Sequence, residues 1–411
     1  MKYLPSNISN KYLVETLVFL SYVLFAMAWV GGTASMAEIM TRMEITSLAS
    51  ASFISGAVTF AKIIGTFMAA WVALKVGLKN AFFLAGGLIT LGIMTPLATN
   101  YELLLLSRFL MGLGGALMIV YFNPIVMAHF TVAERPTING INAVAFNIGT
   151  GVVLWQMDSF NVLLGSWQNT LIAFSLLSFV LSITWLWVKD PQAKKTATSL
   201  AAAPSQYLYR EALTDKFNWY YALTYSGILA FYICLFTFYP KAGISQSALV
   251  IAAGIVGTFA GIIYSKKNPL RIPVIRISGL IITFTVLGLS FSHNANLQTL
   301  CALILGFFIF FPITALVSIP HELSKMTEQK ITVIFSLFYS ISYSIATVVL
   351  WLFGKLVDVN QGDFSQAFLL ITLLSSSFFI GSFFLPESGK LKNMSDPTNK
   401  ANSKEVSTCK P

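Results

Sequence analysis

The chain has 411 residues, 56% of them hydrophobic and only 10% charged, with a formal net charge of +10. A water-soluble domain carries about 25% charged residues, so a soluble globular enzyme or binding module is excluded. Apolar runs longer than about 18 residues recur along the whole length and read as membrane spans. The chain is expected to be an all-α membrane protein.

The first apolar run, from Val14 to about Met40, is too long for a signal-peptide core. No small-residue cleavage site follows it, so it should remain as the first span. In chain order, twelve spans are predicted near 14–40, 48–74, 80–98, 102–128, 138–158, 168–188, 218–240, 246–265, 272–292, 297–320, 331–353 and 365–385. The segment 189–217 lacks a strong helical or strand pattern and is expected to be a linker between bundles at 1–188 and 218–388. The polar tail 389–411 has a composition that cannot support a packed core.

Within span one, Tyr22, Trp29 and Thr33 share a face, and Glu15 and Glu38 stand at its two ends. Span two carries Lys62 about 12 to 14 residues from either end, roughly 20 Å at 1.5 Å per residue. A lysine side chain cannot snorkel that far. An intramembrane charge is costly and is usually kept for function. Lys62 can therefore attract an anionic group, contact helix carbonyls or a partner bundle, or sit there as a neutral amine. The span ends in a basic turn containing Lys75, Gly77 and Lys79.

Arg108 lies some six residues inside span four. It can contact a ligand or brace span one near Glu38. Asn123-Pro124 can open the backbone pattern of the same span. Asn142 and Asn147 are amides of span five that can bind a ligand or join helices. In span seven, Tyr221, Tyr225, Tyr232, Phe236 and Tyr239 fall on one helical face. Ser336, Ser340, Tyr343 and Thr347 form a polar stripe in span eleven. Since no carboxylate is expected at mid-membrane, the interior is net positive, which favours anionic or zwitterionic ligands over cations.

With the N-terminus placed in the cytoplasm, inside segments hold 21 of the 26 basic residues and outside loops hold three, Arg42, Lys241 and Lys355. That asymmetry obeys the positive-inside rule and accounts for the charge without any nucleic acid. Cys234, Cys301 and Cys409 are scattered and make neither a disulfide framework nor a metal site. No cofactor is implied, and no phosphate loop, HExxH, CxxC pair or nucleophile elbow is present to support an enzyme.

The two halves repeat one another. Ile64-Gly65-Thr66-Phe67 is matched by Val256-Gly257-Thr258-Phe259, and Val152-Val153-Leu154-Trp155 by Val348-Val349-Leu350-Trp351. The basic turn at 74–79 meets Lys266 to Arg271, and Glu134 meets Glu328. Two pseudo-symmetric six-helix bundles place a ligand site between them near the midplane.

On these features the chain resembles the major facilitator superfamily. The turn with Lys75, Gly77 and Lys79 is similar to the family's loop motif, although Ala70 and Leu74 replace the usual glycine and aspartate. Ser107-Arg108-Phe109-Leu110-Met111-Gly112 is similar to its fourth-helix arginine motif. Span five lacks the Gly-Pro pair of drug–proton antiporters. Its Gly140-Ile141-Asn142-Ala143 and Asn147-Ile148-Gly149-Thr150-Gly151 partly resemble the signature of nitrate and nitrite porters.

The resemblance implies a monomeric secondary transporter working by alternating access. The compact helices and the lack of glycosylation-rich outer loops fit a bacterial inner membrane, and the charge asymmetry puts both termini on its cytoplasmic side. Together with the residue pattern, the resemblance puts Lys62, Arg108, Trp29, Tyr22, Asn142, Asn147, Tyr225, Tyr232 and Tyr343 around a small substrate. Glu38 or Glu15 would provide coupling, and Lys75, Gly77 and Lys79 a gate. Export of apolar or cationic compounds and a receptor without flux remain the rival readings.

Overall fold

The computed structural model describes residues 10–131, 134–189, 206–323 and 328–389. Parts of the expected linker (190–205) and tail (390–411) lie outside the described residues. The main spanning helices are α1 (Lys11–Ala34), α2 (Phe53–Val76), α3 (Leu78–Thr90), α4 (Tyr101–His129), α5 (Arg135–Leu164) and α6 (Trp167–Trp185). The second half supplies α7 (Lys216–Thr237), α8 (Ser247–Lys267), α9 (Ile272–Phe291), α10 (Ala295–Phe310), α11 (Glu328–Val359) and α12 (Ser365–Ser375).

Among the described residues, eleven helical stretches are long and apolar enough to cross a membrane. The twelfth, Ser365–Gly381, is a shorter apolar helix. The all-helical, twelve-span expectation therefore holds. Its boundaries change where local chemistry interrupts the apolar pattern. The first span stops at Ala34, because the Ser35 N–H closes onto the Gly31 and Thr33 carbonyls before a second short helix, Met36–Arg42. The tenth breaks at Phe311-Pro312 and resumes as Ile313–Glu322. The fifth runs on to Leu164 and ends at Gly165, whose φ of 83° suits a residue without Cβ.

The linker departs from expectation at Gln206–Thr214, which is a short helix. A nine-residue helix is marginal alone. Here Ala212 packs against Val333 and Leu337 of α11, so tertiary burial supplies what propensity does not.

Glycines at repeated positions set the packing of each half. A Cβ on Gly65 of α2 would meet Ala116 and Leu113 of α4, and one on Gly257 of α8 would meet the Phe307 carbonyl of α10. The same pairing of helices thus occurs in both halves, as the internal repeat requires. Lys62 has Gly254 as its repeat counterpart. A Cβ there would strike the Phe310 ring, so in the second half an aromatic ring takes the space.

Candidate functional site

A cavity of about 300 Å³ lies between the two halves. Its walls come from α1 (Tyr22, Trp29), α2 (Lys62), α5 (Asn142, Phe146, Asn147), α7 (Tyr225, Tyr232, Phe236), the α10 region (Phe310) and α11 (Tyr339, Tyr343). Eight of the nine residues expected around a substrate line it together. The exception is Arg108.

Lys62 is 3% exposed. Its ammonium lies 4.7 Å from the Trp29 ring centre, 5.1 Å from Tyr343, 5.2 Å from Phe146 and 5.3 Å from Phe25. It donates to the Tyr343 hydroxyl at 3.1 Å. Neither ion pair found among the described residues involves Lys62. The rings are themselves held in place. The Trp29 indole N–H donates to Ser55 Oγ at 3.0 Å, and Tyr232 donates to the Asn147 side-chain oxygen at 2.8 Å. One turn along α2, Thr59 and Thr347 share a hydrogen bond of 2.7 Å that joins α2 to α11.

Arg108 is 1% exposed and its guanidinium is already engaged. It donates to the carbonyls of Ile54 (2.9 Å), Ala28 (2.9 Å) and Trp29 (2.7 Å), and reaches Thr33 Oγ1 at 3.3 Å. A Cβ on Gly32 would collide with it, so that glycine makes the room. The expected substrate contact is replaced in this conformation by a brace across α1, α2 and α4. The brace reaches Thr33 rather than Glu38, because the planar fork fits backbone oxygens of two neighbouring helices.

Of the two carboxylates expected at the ends of the first span, Glu15 lies within α1 and Glu38 in the separate helix Met36–Arg42. Glu15 is 6% exposed, close to Asn142 but outside hydrogen-bond geometry, and neither of its oxygens has a hydrogen-bond partner. Glu38 faces a second cavity of about 350 Å³ toward the face opposite the termini, with Asp158 and Lys241. Burial lowers the Lys241 pKa, and nearby Glu38 partly offsets the shift. Phe236 lines both cavities and meets Trp29 edge-on at 5.6 Å, so this pair stands in the partition between them.

Closure at that opposite face is concentrated on Asp358 of α11. Its carboxylate accepts from the Leu48 N–H (2.7 Å), the Ala49 N–H (2.8 Å) and the Ser47 hydroxyl (2.8 Å) in the first half. Gly354 permits the approach, since a Cβ there would lie 2.7 Å from the Leu48 carbonyl oxygen.

At the terminal face, Lys11 pairs with Glu134 at 2.5 Å. Hydrogen bonds from Lys11 and from Thr131 hold the Glu134 carboxyl at about 2, below its ordinary 4.5. Arg271 pairs with Glu322 at 2.6 Å, and Ser388 donates to the same carboxylate at 2.8 Å. Glu387 accepts from the backbone N–H groups of Arg271 (2.8 Å) and Ile272 (3.0 Å) at the start of α9. Sequence reasoning missed the Arg271–Glu322 pair, which joins residues 51 positions apart.

Of the expected gate, Lys75 is exposed with its ammonium 5.0 Å from the Trp71 ring centre. Gly77 takes φ 81° between two helices, and the Lys79 carbonyl accepts from the Trp185 indole at 2.9 Å. These residues shape the turn. Neither lysine takes part in the two ion pairs found among the described residues.

The family model described as Major Facilitator Superfamily matches residues 17–349. The chain belongs to the major facilitator superfamily. An uncharacterised protein of Campylobacter jejuni is 28% identical over 270 residues, covering 62% of this chain and 83% of that relative. A nitrite extrusion protein of Bacillus subtilis is 24% identical over 204 residues, covering 48% of this chain and 50% of its own length. The inward-open xylose transporter of E. coli superposes with a TM-score of 0.73 at 12% identity, covering 94% of this chain and 99% of that one. At that identity the likeness is one of fold. The superfamily membership and the apolar helices make this a multi-pass membrane protein of transporter type.

Proposed function

We propose that this superfamily member is a secondary carrier for a small organic anion or zwitterion. It moves its substrate by alternating access of two bundles, 1–188 and 218–388, and acts as a monomer. The observation that carries the reading is the Lys62 ammonium in the cavity wall, surrounded by four rings and one hydroxyl. An ammonium has three donors, and Tyr343 uses one. A desolvated cation–π contact is worth about 2 kcal/mol, whereas removing an ammonium from water costs several. An incoming anion supplies the missing compensation, so substrate binding and charge neutralisation coincide.

Trp29, Tyr22, Tyr225 and Tyr232 provide apolar faces and hydroxyls for the rest of the substrate, and Asn142 and Asn147 provide amides. The relative described as a nitrite extrusion protein agrees with anion handling. Nitrite, however, would fill only a small part of 300 Å³, and the aromatic lining suits an organic body. The basic-residue asymmetry supports a cytoplasmic location for both termini. The bacterial relatives favour a bacterial inner membrane.

The reading is tested by counterflow in proteoliposomes with a panel of carboxylates and nitrite. Lys62→Met should reduce anion exchange at least about 100-fold, the order expected when a buried charged contact is lost, with an unchanged melting temperature. Parent-like exchange in that variant would remove Lys62 from the site. Efflux of an apolar or cationic compound is the second reading, favoured by the aromatic wall and opposed by the lysine. Exchange of cations but not anions would select it, and no exchange of any kind would favour a receptor without flux.

A further inference from the structure

Along α5 the cavity wall carries amides whose hydrogen-bonding groups the protein leaves open. Asn147 is 2% exposed; its oxygen accepts from Tyr232, but its NH₂ group has no partner. Asn142 is 5% exposed and neither end of its amide has a partner. Both residues line the cavity. Buried amides are normally satisfied, and an unmade hydrogen bond costs about 1–3 kcal/mol. Two such groups in one cavity wall mark positions that a ligand can occupy.

The two ends differ in charge. Asn147 follows Phe146, whose ring lies 5.2 Å from the Lys62 ammonium, so this end is cationic. Asn142 lies toward the terminal face, five residues or roughly 7.5 Å of helix rise away. Beside it is the buried Glu15 carboxylate. Lys11, one helical turn before Glu15, would be its natural i,i+4 partner, but Lys11 is paired with Glu134. The cavity therefore has a positive end at Lys62 and, beyond an aromatic middle, an Asn142 end whose wall is backed by the buried Glu15 carboxyl, which does not itself line the cavity.

We infer that the substrate is a zwitterion with well-separated charges: a carboxylate at Lys62 and the Asn147 amide, and an ammonium at Asn142 and Glu15. The inference rests on the proposed role of Lys62 and sharpens it. An ω-amino acid matches this arrangement. An α-amino acid is too short, because its two charges share one carbon. A dicarboxylate of similar length brings its second charge against Glu15.

The test uses the full chain in nanodiscs and three probes of one length: 5-aminopentanoate, pentanoate and glutarate. Isothermal titration should show 5-aminopentanoate binding at least about tenfold more tightly than pentanoate, with glutarate the weakest. Glu15→Gln, close in size to the parent residue, should bring the aminopentanoate and pentanoate affinities together, chiefly by weakening 5-aminopentanoate. Asn142→Val should do the same by a second route. Lys62→Met should abolish binding of all three.

Glutarate equal to or better than 5-aminopentanoate would overturn the inference. So would an unchanged affinity ratio in both Glu15→Gln and Asn142→Val, or no binding of any probe by the parent. Failure of the Lys62 role reads differently: pentanoate would then bind the Lys62→Met variant as it binds the parent.

Discussion

Lys62 and Arg108 are both cations inside spanning helices, and both are nearly sealed from solvent, at 3% and 1% exposure. Their surroundings differ in kind. Arg108 reaches three backbone carbonyls and a threonine hydroxyl, so its desolvation is offset within the protein. Lys62 has one hydroxyl and four ring faces. A guanidinium that is already satisfied holds helices together. An ammonium that is only partly satisfied remains available to a ligand. Burial alone does not separate a binding cation from a bracing one; the number of acceptors already engaged does.

The comparison can be broken most severely at Arg108. Arg108→Leu removes charge-assisted bonds worth about 1.5–3 kcal/mol each at the junction of α1, α2 and α4. The expected result is a loss of at least about 3 kcal/mol and poor recovery of folded protein, read by thermal unfolding. Arg108→Lys should fare little better, since a point charge cannot span the three carbonyls. A stable, inactive Arg108→Leu variant would instead give Arg108 a direct role in transport.

Lys62→Gln should show the opposite pattern, with near-parent unfolding and substrate affinity reduced at least about 100-fold, in line with loss of one side of a buried charged pair. If it unfolds like Arg108→Leu, the two cations do the same job and the distinction fails.

A smaller effect is expected at the face opposite the termini. Asp358→Ala removes an acceptor that caps two backbone N–H groups, worth about 1–2 kcal/mol. That should shift the balance of open and closed forms about 5- to 30-fold toward opening there. Labelling of a cysteine placed at Ser245, in the outer cavity, should rise accordingly, and an unchanged labelling rate would show that Asp358 does not latch that side. Tyr343→Phe deletes the single hydroxyl on Lys62, about 1 kcal/mol. It should change affinity about fivefold by titration, well short of the Lys62 variants.

The smallest effect concerns pH. The Glu134 carboxyl is held at about 2 rather than 4.5. Its contribution to stability is therefore complete above 4.5 and is lost only as pH falls through 2. The pH–transport profile of Glu134→Gln should parallel the parent between pH 5 and 8.

Much of this was legible before the structure. The depth of Lys62 within an apolar run marked it as costly, and the absence of a lysine at Gly254 showed that the repeat does not demand one. The structure adds that Phe310 takes the corresponding space. Asn142, Asn147, Tyr225, Tyr232 and Tyr343 were selected as polar groups on predicted helical faces, and the cavity gathers them. Phe25 and Phe146 were missed. With 34 phenylalanines in the chain, nothing local separates the two that meet an ammonium from those that face lipid. The outcome at Arg108 was likewise undecided, because bracing and binding require the same residue at the same depth.

The amino-acid sequence by itself determined the number and apolar character of the spans, the repetition of the two halves and the depth of the charged side chains. Each depends on spacing along one helix. Tertiary structure alone decided which rings surround Lys62, which carbonyls engage Arg108, and that Arg271 meets Glu322. These contacts join residues up to 281 positions apart. They depend on the rotation and axial register of neighbouring helices, which close packing at glycines such as Gly32, Gly65 and Gly257 sets and no single-helix pattern records.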